Sequence, residues 1–199
     1  MTTLVTAIVL AGGKGSRLGG VDKALLEIGG RRTIDRVLGA FNGLATDVVA
    51  VVNEDRLADV AGIRRIGDPE PHAGVLPALR AALAAAREPL CLLVACDMPF
   101  LDPALLGRLV ELAEGYDVVI PHVEGQLQPM HAVYRRDRCS VAIEDSLARG
   151  RRRMIAFLDA VRVRTVSEEE VRSLDPALRS FINVNTPEDL AWARQLVGD

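Results

Sequence analysis

Apolar residues in this chain fall into short runs separated by stretches that carry a helical stripe. Residues 5–10, 47–53, 64–67, 90–96, 117–121, 130–134 and 161–166 have the length of strands. Two of them, DVVAVVN at 47–53 and LCLLVAC at 90–96, show no in–out alternation, the pattern of strands covered on both faces. Between the strands, residues 33–44 place Ile34, Val37, Leu38 and Phe41 on one side of a helix. A short helix is predicted over 57–61 and an Ala/Leu-rich one over 75–87, with Pro77 in its first turn. Asp102 caps a helix that opens on Pro103 and runs to 114. Residues 139–148 and 154–158 read as helices too, and 168–174 as a short helix or turn. Thr186 then caps a closing helix with Pro187 first and Glu188 and Asp189 at its positive end. Strands alternating with helices predict βα units and a mostly parallel sheet. The strand at 130–134 follows only a short turn around Glu124-Gly125, so it reads as antiparallel.

At 199 residues with 49% hydrophobic content, one domain with a sizeable core is expected. Aromatics are 4%, so Ala, Val and Leu build that core. The net charge of −3 implies no basic face, which argues against nucleic acid as a partner. No apolar run approaches the ~20 residues needed to span a bilayer. The start of the chain lacks a basic region and signal-type apolar segment. Cys91, Cys96 and Cys139 fit a reducing compartment, so a cytoplasmic location is expected. Cys91 and Cys96 lie at odd separation on one strand and should face opposite sides, which excludes a shared zinc half-site. His72, His122 and His131 have no ligand-like spacing.

The chemistry concentrates where the first strand ends. Leu10-Ala11-Gly12-Gly13-Lys14-Gly15-Ser16-Arg17-Leu18-Gly19-Gly20-Val21-Asp22-Lys23 holds five glycines, one arginine and two lysines. Glycines let a backbone approach a ligand closely and turn N–H groups toward an anion. Lys14, Arg17 and Lys23 add full positive charge, so a polyphosphate is the natural guest. The dinucleotide fingerprint is excluded because Leu18 stands where its third glycine belongs. A Walker loop is excluded because Val21-Asp22 follows Gly20 in place of Lys and Ser/Thr.

This run resembles the signature of nucleotidyltransferases that activate small molecules with an NTP. Its ending, Gly19-Gly20-Val21-Asp22-Lys23, is similar to that of the molybdenum cofactor guanylyltransferases in particular. The resemblance extends from Leu10 to about Leu190. It implies a single Rossmann-like three-layer α/β/α domain of nucleotidyltransferase type over 1–199, with a mostly parallel mixed sheet. A nucleotide half would span about 1–100 and an acceptor half about 101–199. GTP would be held by Leu10, Ala11, Gly12, Gly13, Gly15, Ser16, Arg17, Lys23, Asn53, Asp68 and Asp97. Arg17, Lys23 and Asp97 would be catalytic.

Asp97 ends the most apolar strand, and a carboxylate there is a hard oxygen ligand suited to Mg²⁺. Cys96-Asp97-Met98-Pro99-Phe100 resembles the family stretch whose aspartate holds that metal. Gly74 and Leu76 match the family's run after Asp68, whereas Val75 and Ala78 depart from it. Asn183-Val184-Asn185-Thr186-Pro187-Glu188-Asp189-Leu190 resembles the closing family motif. By that resemblance Asn185 joins Asp97 at the metal, and Asn183 and Asn185 face the acceptor. Arg149 to Arg153 resembles a segment on the acceptor side, with Arg151 and Arg152 as forked cations for its phosphate. Gln128-Pro129-Met130-His131 resembles a further family strand. The implied reaction moves GMP from GTP to the terminal phosphate of molybdopterin, with transient contact to enzymes that make or receive the cofactor. Residue chemistry alone leaves a cytidylyltransferase, another small-molecule nucleotidyltransferase, a non-catalytic GTP-binding adaptor and a plain interaction domain as alternatives.

Overall fold

The computed structural model describes residues 4–11, 22–52, 57–70 and 73–198. Its main sheet is built on β1 (Val5–Leu10), which pairs in parallel with β4 (Asp47–Val52) on one side and β6 (Leu90–Ala95) on the other. Beyond β4 lies β5 (Arg64–Gly67), also parallel. Beyond β6 lies β9 (His131–Arg135), which is antiparallel both to β6 and to β7 (Val118–Val123). The outer strand β10 (Val163–Val166) runs parallel to β7. The order is therefore β10-β7-β9-β6-β1-β4-β5. The mostly parallel mixed sheet and the reversed 130–134 strand are as the sequence pattern predicts.

Alternate side chains of the central strands enter two cores. Val5, Ala7 and Val9 of β1 and Leu90, Leu92 and Val94 of β6 meet Ile34 and Val37 of α1 (Thr33–Gly39). The same core takes Leu105, Leu106 and Leu109 of α3 (Pro103–Glu111). On the other face, Ile8, Cys91 and Leu93 meet Leu76, Leu79 and Leu83 of α2 (Val75–Ala85). Ala142 and Ile143 of α4 (Arg136–Ala148) complete that second core. Apolar positions on both faces of a strand require cover on both sides, and the result is a three-layer α/β/α stack. Cys91 and Cys96 belong to opposite cores, as their spacing predicts, and none of the three cysteines forms a disulfide. Among the described residues no helix is long and apolar enough to cross a membrane.

A third, smaller core joins the two ends of the chain. Leu26 and Ile28 pack on Val184 and on Ala193 of α6 (Pro187–Val197). Ile28 belongs to a small hairpin, β2 (Glu27–Ile28) with β3 (Arg31–Arg32). Its turn residues Gly29 and Gly30 both have positive φ, 58° and 66°. That is the backbone a two-residue hairpin prefers. The Gly-Gly pair is the signal in the sequence for this hairpin. Glu124 and Gly125 make a like turn, but it returns the chain as β8 (Gln126–Leu127) against β7, before β9 begins.

Several predicted helices are shorter or absent. The helix expected over 33–44 stops at Gly39, and the chain goes on through turns in which Gly43 has φ 77°. Residues 57–61 form no helix: Leu57 is left-handed at φ 59°, and Val60 only closes a turn on the Leu57 carbonyl at 3.1 Å. Residues 154–158 are turns that lead into a single 3-10 turn, Leu158–Ala160. Conversely α4 begins at Arg136, ahead of the expected 139.

One buried polar network fixes the start of β4. The Asp47 carboxylate accepts from Thr6 Oγ1 at 3.0 Å and from Arg64 Nε and Nη2 at 2.9 and 2.6 Å. Burial pushes this carboxyl up, but Arg64 and Thr6 outweigh it and hold it below its ordinary range. Asp47→Asn should therefore lower stability by about 2 kcal/mol, because a charge-assisted pair is lost and its partners stay half-buried. Urea denaturation at neutral pH reads that loss. An unchanged midpoint would mean that the network contributes nothing.

Candidate active site

β1 and β6 end side by side. Leu10 is in register with Ala95, the Cys96 N–H donates to the Leu10 carbonyl at 3.1 Å, and the Ala11 N–H donates to Val51 at 2.9 Å. Asp97 thus emerges next to the point where the chain leaves β1. In open α/β sheets ligands bind beyond these carboxyl ends. The last motif joins them through the backbone, since the Val184 N–H donates to the Asp97 carbonyl at 2.9 Å.

Lys23 reaches the same place from a 3-10 turn, Lys23–Leu25. The Asp22 carboxylate caps that turn by accepting the Ala24 N–H at 3.1 Å, and Ala24 is buried beneath it. The Lys23 ammonium lies 3.4 Å from Asp97 Oδ2 and also donates to the Asn185 side-chain carbonyl. Three residues separated by 74 and 162 positions in sequence, counted from Lys23, therefore share one point. Asp97 is mostly buried, and its Oδ1 is buried with no hydrogen-bond partner among the described residues. Burial pushes its carboxyl above the ordinary range, and the charge and hydrogen bond of Lys23 only partly offset that.

Asn185 is held by a residue that the sequence reading took only as a helix-end charge. The Asp189 carboxylate accepts the Asn185 N–H at 2.9 Å and the Thr186 N–H at 2.8 Å, and Thr186 Oγ1 accepts the Asp189 N–H in return. This capping box at α6 sets the direction in which Asn185 leaves the helix. Asp189→Ala should cost about 1 kcal/mol of stability. It should also weaken activity by about 10-fold, as loss of a group that orients a functional side chain does. Activity at the wild-type level would limit Asp189 to the cap.

Leu10 and Ala11 lie at this sheet edge, and the remaining described candidates make other contacts. Asn183 is exposed and donates to the Phe181 carbonyl at 3.0 Å, away from the Lys23 contact. Asp68 closes a local turn by accepting the Glu70 N–H at 3.0 Å. Arg152 is paired with Glu70 at 2.9 Å, and Glu70 also meets Arg80 at 3.4 Å. The basic turn thus touches the loop after β5, and in this state Arg152 is engaged by a carboxylate. Arg151 is exposed. Gly12, Gly13, Gly15, Ser16, Arg17 and Asn53 lie outside the described residues.

Among the described residues no group of three or more His, Cys, Asp or Glu side chains could hold a metal. Asp97 and Asn185 instead offer two hard oxygens, one of them on a carboxylate whose second oxygen is buried and without a partner among the described residues. That set suits a cation such as Mg²⁺, which draws its remaining ligands from water and substrate phosphates.

The family model described as "MobA-like NTP transferase domain" matches residues 7–167. The probable molybdenum cofactor guanylyltransferase of Pelotomaculum thermopropionicum is 41% identical over 189 residues, covering 95% of this chain and 91% of that protein. The molybdenum cofactor guanylyltransferase of Desulfosudis oleivorans is 37% identical over 196 residues, covering 97% and 96%. Among solved structures, molybdopterin-guanine dinucleotide biosynthesis protein A of Archaeoglobus fulgidus superposes with a TM-score of 0.81 at 28% identity, covering 97% of this chain and 98% of that one. With four-fifths of its length matched by the family model and two relatives 41% and 37% identical over nearly all of it, this chain belongs to the MobA-like NTP transferases.

Proposed function

We propose that the protein transfers GMP from GTP to the terminal phosphate of molybdopterin and releases pyrophosphate, giving the guanine dinucleotide form of the cofactor. The observation that carries this reading is the meeting of Lys23, Asp97 and Asn185 at the carboxyl ends of β1 and β6, in a chain similar along its length to proteins named for that activity. A phosphate monoester has its second pKa near ~6, so it arrives mostly dianionic. One of its oxygens forms the new bond to the α-phosphorus, and the bond from that phosphorus to the β-phosphate bridge breaks. No general base is needed, and the remaining difficulty is charge.

Fixed cations meet that difficulty. Lys23 places an ammonium where the triphosphate enters. Arg17 and the glycine backbone at 12–15 would add donors along it. Asp97 and Asn185 would hold Mg²⁺, which supplies positive charge against the phosphates when bound. Arg151, Arg152 and Asn183 would take the acceptor, and its phosphate would replace Glu70 on Arg152. In this reading residues 1–100 serve mainly the nucleotide and 101–199 the acceptor, with Asn185 crossing between them. The substrates are small molecules, the location is the cytoplasm, and contact with enzymes before and after this step is transient.

Mass analysis of the product formed from molybdopterin and an equimolar mixture of GTP and CTP tests the assignment. A GMP adduct with release of pyrophosphate is expected. A CMP adduct would overturn the guanylyl assignment, and GTP binding without any adduct would favour an adaptor.

A further inference from the structure

The ammonium of Lys23 stands between the two oxygens assigned above to the metal. We propose that Lys23 is a placeholder cation. In the nucleotide-free protein it keeps divalent metal off Asp97 and Asn185, and a polyphosphate draws it away, so that metal and nucleotide enter together. This rests on the metal reading of the site.

The backbones that carry the two oxygens are held without help from Lys23. Asp97 is fixed by the end of β6 and by the Val184 N–H on its carbonyl. Asn185 is fixed by the Asp189 carboxylate on its own N–H. Withdrawing the lysine therefore leaves both backbones in place and frees the two side-chain oxygens for a metal. The base of Lys23 is fixed as well, by the Asp22 cap and by buried Ala24. Its head is different: a lysine stem has four rotatable methylenes and a compact charge that can change partners.

Charge decides the order of entry. Asp97 contributes one negative charge and Lys23 one positive charge, so the pair is near neutral while the lysine is present. A divalent ion approaching Asp97 would then meet a positive charge a few ångströms away in a mostly buried place, where screening is weak. Asp189 is a further carboxylate within reach of the Lys23 charge, but its Oδ2 already accepts the two cap N–H groups. A triphosphate reverses the balance by offering the ammonium several anionic oxygens and the metal further ligands.

Mn²⁺ alone, followed by electron paramagnetic resonance in the full-length protein, tests the proposal without turnover. Wild type should bind Mn²⁺ weakly when free. Lys23→Met and Lys23→Gln should each bind it at least tenfold more tightly without nucleotide. Lys23→Arg, which keeps the charge, should stay as weak as wild type, and adding Asp97→Asn to Lys23→Met should abolish the gain. Lys23→Gln guards against a folding defect in the methionine variant, and a cooperative melt is required of whichever is used. If neutral variants bind Mn²⁺ no better than wild type while GTP still recruits Mn²⁺ to the protein, the placeholder role is overturned and the metal reading stands. If no form takes up Mn²⁺ with or without GTP, both are overturned.

Discussion

Replacing Lys23 or Asp97 with alanine lowers the rate of pyrophosphate release by about 10²–10³-fold, the usual cost of removing one fixed electrostatic group from a reaction that has no other chemistry to fall back on. The two losses should not add in the double variant, because the side chains meet each other and serve one triphosphate. Asp97→Asn separates this effect from folding. Its carboxyl has a folded pKa above the unfolded value, so the ionised form is disfavoured by the fold. The stability linked to that shift is present at acid pH and is lost as pH rises through the folded value, which leaves a penalty at neutral pH. Asparagine removes the penalty. Asp97→Asn should therefore lose activity on the scale of the alanine variant and yet melt no lower than wild type at pH 7. A variant that stays active would remove the carboxylate from the mechanism. One that unfolds would make Asp97 a structural residue held by Lys23.

That Lys23 and Asp97 meet was legible in the sequence, since a parallel βα order brings the end of the first strand beside the end of the most apolar one. The long apolar runs gave β1, β4 and β6 because burial on both faces leaves no other use for them. The Thr186-Pro187 cap also stood out, because Ser/Thr/Asp/Asn chemistry at helix starts is local. What was lost depended on contacts distant in sequence. Residues 57–61 and 154–158 are apolar enough for a helix, but the left-handed turn at Leu57 and the packing around Phe157 decide otherwise. Asn183 and Asn185 stand in one motif, yet Asn185 accepts from Lys23 while Asn183 donates to the Phe181 carbonyl, a choice of partner that the local pattern does not encode. No periodicity could have paired Arg152 with Glu70 across 82 positions.

His131 is the residue least visible in the sequence, and it should govern how the fold fails in acid. It sits on β9 opposite Val94, fully buried, and among the described residues neither ring nitrogen has a side-chain hydrogen-bond partner. Its ring stacks on Phe181 with centroids 4.7 Å apart. Burial drives its pKa down from 6.5 to about 4, against smaller upward effects of the Ser180 backbone and the Asp175 carboxylate. Above pH 6.5 the imidazole is neutral folded or unfolded, and it adds no pH dependence. Below that, the unfolded chain takes up a proton that the fold refuses, so stability drains away as pH falls toward 4. A shift of this size corresponds to a loss of about 3 kcal/mol across the window. His131→Leu keeps an apolar side chain at the site and removes the proton uptake. In urea denaturation from pH 7 down to pH 4.5, wild type should lose stability more steeply than His131→Leu, the curves diverging below pH 6.5 and not above it. Parallel curves would show that the imidazole is protonated in the fold, through a partner the buried stack does not display. The consequence for the site is direct, because the Phe181 carbonyl that holds Asn183 belongs to the wall against which His131 stacks. Acid should therefore loosen the segment carrying Asn183 and Asn185 through His131, well above the pH at which ordinary carboxylates protonate.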